Sequence, residues 1–193
     1  MLDGKLKACF FVASLLLATA AASGQEVVHA LTGTVASIDA TAKTISMYTD
    51  NRSAGLFKDL TNAKANIVFD KTLRALVTPA DEFKKQGAYG IVFYFGQGDT
   101  RTAVALRSFG QGPFTSAEGI VAKSEAGDHS FSVTDDSGAV TTFKIASDTV
   151  AETMLGAVAG FKSQPHKGDK VHVTAKTVNG VAMALFINTL VAN

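Results

Sequence analysis

From residue 25 onward the apolar side chains alternate with polar ones in short runs, the period of a half-buried strand. Ile45 and Met47 alternate with Thr44, Ser46 and Tyr48, and Phe131 and Val133 alternate with Ser130, Ser132 and Thr134. A strand precedes each run, carrying Val35 and Ile38 in the first case, and short polar links at 39–43 and 125–128 suit hairpins. The two stretches are copies of one another. "TGTVASIDATAKTISMYTD" (32–50) lies on "EGIVAKSEAGDHSFSVTDD" (118–136) at an offset of 86 with no gap, and the match runs on to Phe57-Lys58 against Phe143-Lys144. Identities fall at Gly33/Gly119, Val35/Val121, Ala36/Ala122, Ala40/Ala126, Ser46/Ser132 and Asp50/Asp136.

Glycine inside a strand marks a bulge or a sharp bend, so Gly33 and Gly119 are read as the places where each first strand turns. A third strand is expected at 64–69 in the first copy and at 141–145 in the second. The period then changes to that of a helix. In the first copy Thr78-Pro79 with Asp81 predicts a helix start and Gly87 its stop, after a shorter turn at 71–77. In the second, Thr149 and Glu152 read as a capping box ahead of a stripe of Val150, Met154, Val158 and Phe161. Two more strands follow in each copy, at 89–95 and 102–109 and at 170–176 and 181–188. The offset falls to 79 at Ala105/Ala184, which implies about seven extra residues in the first copy, placed at 59–66. "FGQGPFTS" (109–116) reads as the junction.

The order strand, strand, strand, helix, strand, strand resembles that of the OB-fold, a five-stranded Greek-key barrel. The G-x-V openings and the late "GDKVHV" (168–173) are similar to those of exported bacterial OB-like domains of unknown function, which often occur in tandem. The resemblance implies a mainly β protein of two tandem OB-fold-like five-stranded barrels, each with a helix between strands three and four. The expected division is a leader at 1–24, one domain at 25–112 and a second at 113–193. A ten-stranded outer-membrane barrel would need lipid-facing strands of about 9–11 residues and aromatic girdles, whereas these strands are shorter and the chain has no Trp. A single sandwich or lipocalin-like barrel does not explain helices at matching positions.

The leader changes the chemical picture. Lys5 and Lys7 precede an apolar run at 10–22, too short to span a bilayer, with small residues after it, as in a secretory signal peptide. The expected location is therefore periplasmic or extracellular. Cys9, the one cysteine, lies within that leader, so the exported chain must stand on its core without disulfides. Residues 25–112 carry ten Lys/Arg and eight Asp/Glu, residues 113–193 six and eight, and the balance of zero disfavours nucleic acid as a partner.

Most small motifs read as turns. "FGQG" at 95–98 and 109–112 joins strands rather than opening a helix, unlike a phosphate loop. "DDSG" at 135–138 is too short a set of oxygens for calcium, and His29, His129, His166 and His172 match no zinc spacing. No metal, cofactor or catalytic residue is expected. OB-folds bind on strands two and three and on the loops after strands one and four. Carried over to the first copy, this implies ligand-binding positions at Lys43, Tyr48, Arg52, Lys58 and Arg101, where an aromatic beside cations can stack a ring and hold an anion. "AYGIVFYFG" (88–96) is apolar on both faces and needs cover. The expectation is that Val92 and Tyr94 meet the other domain or a second chain, so that a homodimer is one arrangement. The expected function is that of an exported, non-catalytic binding or structural module of the cell envelope with a protein or polymer partner. The alternatives are a binder of an anionic or sugar-like polymer through the first domain, and a hydrolase.

Overall fold

The computed structural model describes residues 24–50, 54–62 and 65–190. All but the last residue of the expected leader, and Arg52, lie outside them. In chain order the elements are β1 (Glu26–Val27), β2 (His29–Asp39), β3 (Thr44–Thr49), β4 (Ala54–Asp59), β5 (Ile67–Val68), α1 (Lys71–Arg74), β6 (Thr78–Pro79), β7 (Tyr89–Phe95) and β8 (Thr102–Ser108). The second copy supplies β9 (Thr115–Glu125), β10 (Ser130–Thr134), β11 (Val140–Thr153), β12 (Gly156–Ala159), β13 (Lys170–Val178) and β14 (Val181–Leu190).

The protein is mainly β. In the second copy β9, β10 and β11 pair antiparallel, β11 runs parallel to β14, and β13 links β14 back to β9, which closes a five-stranded barrel consistent with an OB-like fold. The first copy forms a ring-like sheet of the same connectivity, β2-β3-β4-β8-β7. It closes through two parallel pairs, Lys58 with Thr102 and Asp59 with Ala103.

The repeat is a repeat of packing. Val35, Ile45, Met47 and Phe57 fill the first interior, and Val121, Phe131, Val133 and Phe143 fill the second at the same offset of 86. Ala36 and Ala122 are the extra residues of a matched bulge in β2 and β9, so the irregularity falls three residues beyond the glycines thought to mark it. In the later strands Val92 with Leu106 in the first interior stands where Val173 with Ile187 stands in the second, an offset of 81. The first copy therefore carries five extra residues before β7, not seven. The third strand of the first ring is β4, as the Phe57/Phe143 match requires, and the expected 64–69 strand shrinks to β5 on β1.

Among the described residues no helix longer than a single turn separates the third and fourth strands of either ring. In the first, the α-helical segment is the single turn α1, capped by Asp70 accepting from the Thr72 N–H at 2.8 Å. The 78–87 stretch contributes β6, paired to β8, and one 3₁₀ turn whose Ala80 and Phe83 enter the ring interior. Lys84, Lys85 and Gln86 follow, so there is no apolar residue to begin a second turn. In the second ring, the Thr149 hydroxyl accepts from the Ala146 N–H and donates to the Ala184 carbonyl, and Glu152 reaches the first ring. Residues 150–159 form the β11–β12 hairpin instead, with Val150 opposite Ala159. Met154 and Phe161, two members of the expected stripe, are exposed. Docking against the first ring, rather than local propensity, decides the conformation.

Candidate functional site

The β11–β12 hairpin builds the seam between the rings. Val28, Ala30, Ile91, Phe93 and Val104 form the outer apolar face of the first ring, and Val150, Ala157, Ala159 and Phe186 of the second ring cover it in one cluster. Polar groups tie the margin. Glu152 accepts from the Ala30 N–H at 2.7 Å and lies 2.6 Å from His29 Nδ1, and the Ala157 N–H donates to the Val28 carbonyl at 2.8 Å. Lys162 Nζ donates to buried Asp70 at 2.9 Å, and Arg107 bonds both the carboxylate and the carbonyl of Asp148.

The doubly apolar strand β7 is thus covered on both sides, with the faces opposite to those expected. Val92 is buried inside the first ring and Tyr94 packs against that interior, while Ile91, Phe93 and Phe95 lie in the cluster that residues of both copies share.

Beside the seam lies a cleft of about 420 Å³, walled by Thr32, Asp50, Tyr94 and Arg101 from the first copy and by Glu118, His172 and Asn188 from the second. Arg101 is held in place. Its Nε donates to the Gly98 carbonyl at 3.0 Å, and its guanidinium carbon stands 4.6 Å from the centre of the Phe57 ring and 6.0 Å from that of Tyr94. Among the described residues no carboxylate forms an ion pair with it. Asp50 accepts from the Tyr89 hydroxyl at 2.8 Å and from the Thr32 hydroxyl. Burial, with that carboxylate adjacent, pushes the Tyr89 phenol up to about 12. Tyr94 is also raised by burial, with Glu152 adding and Arg101 opposing.

On the opposite wall, Ser116 Oγ lies 3.0 Å from His172 Nε2, and Glu118 lies 3.9 Å from His172 Nδ1. The order imitates a nucleophile, base and orienter, but 3.9 Å is beyond hydrogen-bond range. Lys170 holds Glu118 at 2.8 Å and lowers its pKa. His172 faces Glu118 and Thr174 faces Ser116 in the β13–β9 register, so the array is a cross-strand polar ladder.

The ligand positions expected from the sequence separate. Lys43, Lys58 and Arg101 meet at the rim where the first ring closes: the Asp59 N–H donates to the Lys43 carbonyl and the Lys58 N–H to the Arg101 carbonyl, each at 2.9 Å. Tyr48 lies five residues along β3, roughly 17 Å from Lys43 by strand rise, outward and 66% exposed between Thr34 and Ala54. Arg52 is outside the described residues. Of the four that are described, Arg101 alone lines the cleft. The partners around it that the sequence did not single out include Asp50, whose identity with Asp136 in the repeat was the available signal, and Asn188, which carried none. No family model matches the chain, and comparison with curated proteins finds no match.

Glu152 gives the seam a pH dependence. Burial raises its pKa, against the opposing hydrogen bonds from His29 and the Ala30 N–H. A raised carboxyl means that the folded protein keeps a proton the unfolded chain has released. Its contribution to stability is full below the ordinary glutamate range and is lost as pH climbs through the folded value. Glu152→Gln is expected to flatten that decline, measured by urea unfolding at a series of pH values. A difference between variant and parent that stays constant from pH 4 to 7 would contradict it.

Proposed function

We propose that the chain is an exported, non-catalytic binding module that holds an acidic, hydroxyl-rich ligand of the sugar or polyol class in the cleft between its rings. The observation that carries this reading is Arg101, a guanidinium fixed by Gly98 and by two aromatic rings at the cleft wall, with no carboxylate partner among the described residues. A pre-positioned guanidinium is the donor fork that suits a carboxylate or phosphate. Asp50 and Asn188 offer oxygen acceptors to hydroxyl groups, and the volume is within the ordinary range for small-ligand sites, ~300–1,000 Å³. The leader-type N-terminal sequence supports export, to the periplasm or beyond. Among the described residues no helix is long and apolar enough to cross a membrane. The equal numbers of cationic and anionic residues after residue 24 weigh against nucleic acid.

The test is calorimetric titration of the chain from Gln25 with uronate oligosaccharides, sugar phosphates and neutral glycans. Binding of an acidic member, weakened roughly 10- to 100-fold by Arg101→Ala, is the expected result, the scale of a hydrogen bond to a charged group. Tyr48→Ala should leave that binding unchanged. The second reading, polymer binding on the outer face of β3 and β4, rests on exposed Tyr48 and Leu56. It predicts the reverse pattern of the two variants. Silence of the parent chain across the whole panel would count against both.

A further inference from the structure

Two opposite charges face the cleft without neutralising each other. Arg101 has no carboxylate partner among the described residues, and Asp50, which lines the same cleft, forms no ion pair with it or with any other described cation. Asp50 is nonetheless fixed. Its backbone N–H donates to the Thr32 carbonyl at 3.1 Å, and the Tyr89 and Thr32 hydroxyls both donate to its Oδ2. Those donors are uncharged, so they orient the carboxylate and leave its charge in place. The other carboxylate of the wall, Glu118, differs, since Lys170 holds it at 2.8 Å. Asp50 and Arg101 are therefore the two charges left for a ligand to meet.

Strand register sets their separation. Asp50 is bonded to Thr32, whereas the Arg101 guanidinium lies by Tyr94, which pairs with His29 on β2. Thr32 and His29 are three residues apart, so the two charges stand on the order of 10 Å from each other by strand rise. The Gly98 carbonyl and the Phe57 ring keep the arginine from folding across that gap. Two hydrogen bonds of about 2.8 Å each take up rather more than half of the span, and what remains is close to the width of one sugar ring. Leu31, which lies between His29 and Thr32 on β2, joins Phe186 and Leu190 as the apolar part of the wall, a surface suited to the C–H face of such a ring.

We propose that the ligand of this cleft is zwitterionic, an amino sugar that carries a phosphate or carboxylate, with its ammonium group on Asp50 and its anionic group on Arg101. The proposal rests on the reading of the cleft as an acidic-sugar site and adds the second charge. A hydroxyl at Asp50 would leave the carboxylate without a counter-charge. An ammonium supplies the hydrogen bond and the charge together, which is the stronger combination. An α-amino acid carries its two charges on neighbouring carbons and cannot reach both ends.

The experiment is calorimetric titration of the chain from Gln25, which keeps every described element, with glucosamine 6-phosphate, glucose 6-phosphate, N-acetylglucosamine 6-phosphate and glucosamine. Low ionic strength is used, because exposed charges are then least screened. Glucosamine 6-phosphate should bind at least about 10-fold more tightly than each of the other three, the lower end for a hydrogen bond to a charged group. Asp50→Asn keeps an oxygen for Tyr89 and Thr32 and should level glucosamine 6-phosphate with glucose 6-phosphate. Arg101→Ala should level it with glucosamine. Thermal midpoints check both folds, and the parent comparison decides without either variant. Equal binding of the three phosphates by the parent overturns the proposal and leaves the acidic-sugar reading standing. An amino preference that survives Asp50→Asn does the same. Silence with all four sugars also overturns it, and the underlying reading falls with it only if the uronates are silent as well.

Discussion

Phe93→Ala is expected to lower the unfolding free energy by about 3–5 kcal/mol, the range for removing a buried aromatic side chain. Phe93 is fully buried and sits in a cluster that draws residues from both copies. Its ring centre is 5.2 Å from that of Phe69, and its strand neighbours in register are Ala30 and Ala105. Small residues on both sides leave a large hole when the ring is removed. β7 is held between β2 and β8, so the backbone cannot move in to fill it. The loss falls on the seam rather than on either ring interior, and so should also reduce the coupling between the rings. Urea unfolding followed by far-ultraviolet circular dichroism and by tyrosine fluorescence is the appropriate measurement. The parent should show coincident transitions, and the variant a lower midpoint with transitions that separate. A loss below ~1 kcal/mol would mean that the seam does not hold the rings together.

The strand that carries Phe93 shows what the sequence could convey. That "AYGIVFYFG" needed cover on both faces was legible from composition alone. Which face met which neighbour was not, because alternation fixes the parity of side chains but not its sign, and a shift of one residue exchanges the faces. The signal that resolves the sign lay in the other copy. Val92 corresponds to Val173, both buried in a ring interior, whereas Ile91, Phe93 and Phe95 correspond to His172, Thr174 and Lys176. The inward set is shared because every ring needs an interior. The outward set differs because only the first ring receives the hairpin, while the second presents His172 to the cleft. An alignment through Ala105/Ala184 concealed this, because it stood two residues out of step.

The helices failed for a related reason. Val150, Met154, Val158 and Phe161 have helical spacing, yet the segment is held by partners more than a hundred residues away, Val28, His29 and Ala30. No local pattern encodes such a contact. The cleft was hidden in the same way, since Asp50, Arg101, Glu118, His172 and Asn188 come from separate strands and loops. Arg101 was legible because loop position and charge agreed. Tyr48 lies on the strand that begins just after Lys43, but strand rise places it well away from the rim where the cations gather.

Gly119→Ala should rank with Phe93→Ala, with an expected loss of about 2–4 kcal/mol, as for other substitutions that force backbone apart. A methyl group built at Gly119 would overlap the Thr134 carbonyl oxygen and lie 2.7 Å from its carbon. At Gly33 it would overlap the Tyr48 carbonyl oxygen and lie 2.9 Å from the Thr49 Cα. Both the glycine and its obstacle recur at the offset of 86, so the identity records a contact, a backbone passing where a side chain would stand. The obstacle cannot yield, because Thr134 is paired on one side with Ile120 and on the other with Val140. The bulge at Ala122, three residues on, is what adds the strand coiling that a small closed sheet requires. Gly119 then fits the first strand beneath the second. Gly127→Ala supplies the control, as that position has open space and no left-handed backbone, and should be neutral or slightly stabilising. The comparison is read from thermal midpoints, where a loss of this size lowers the midpoint by roughly 5–15 °C. If Gly119→Ala and Gly127→Ala melt together, the close approach of β9 to β10 is not what the repeated glycine protects.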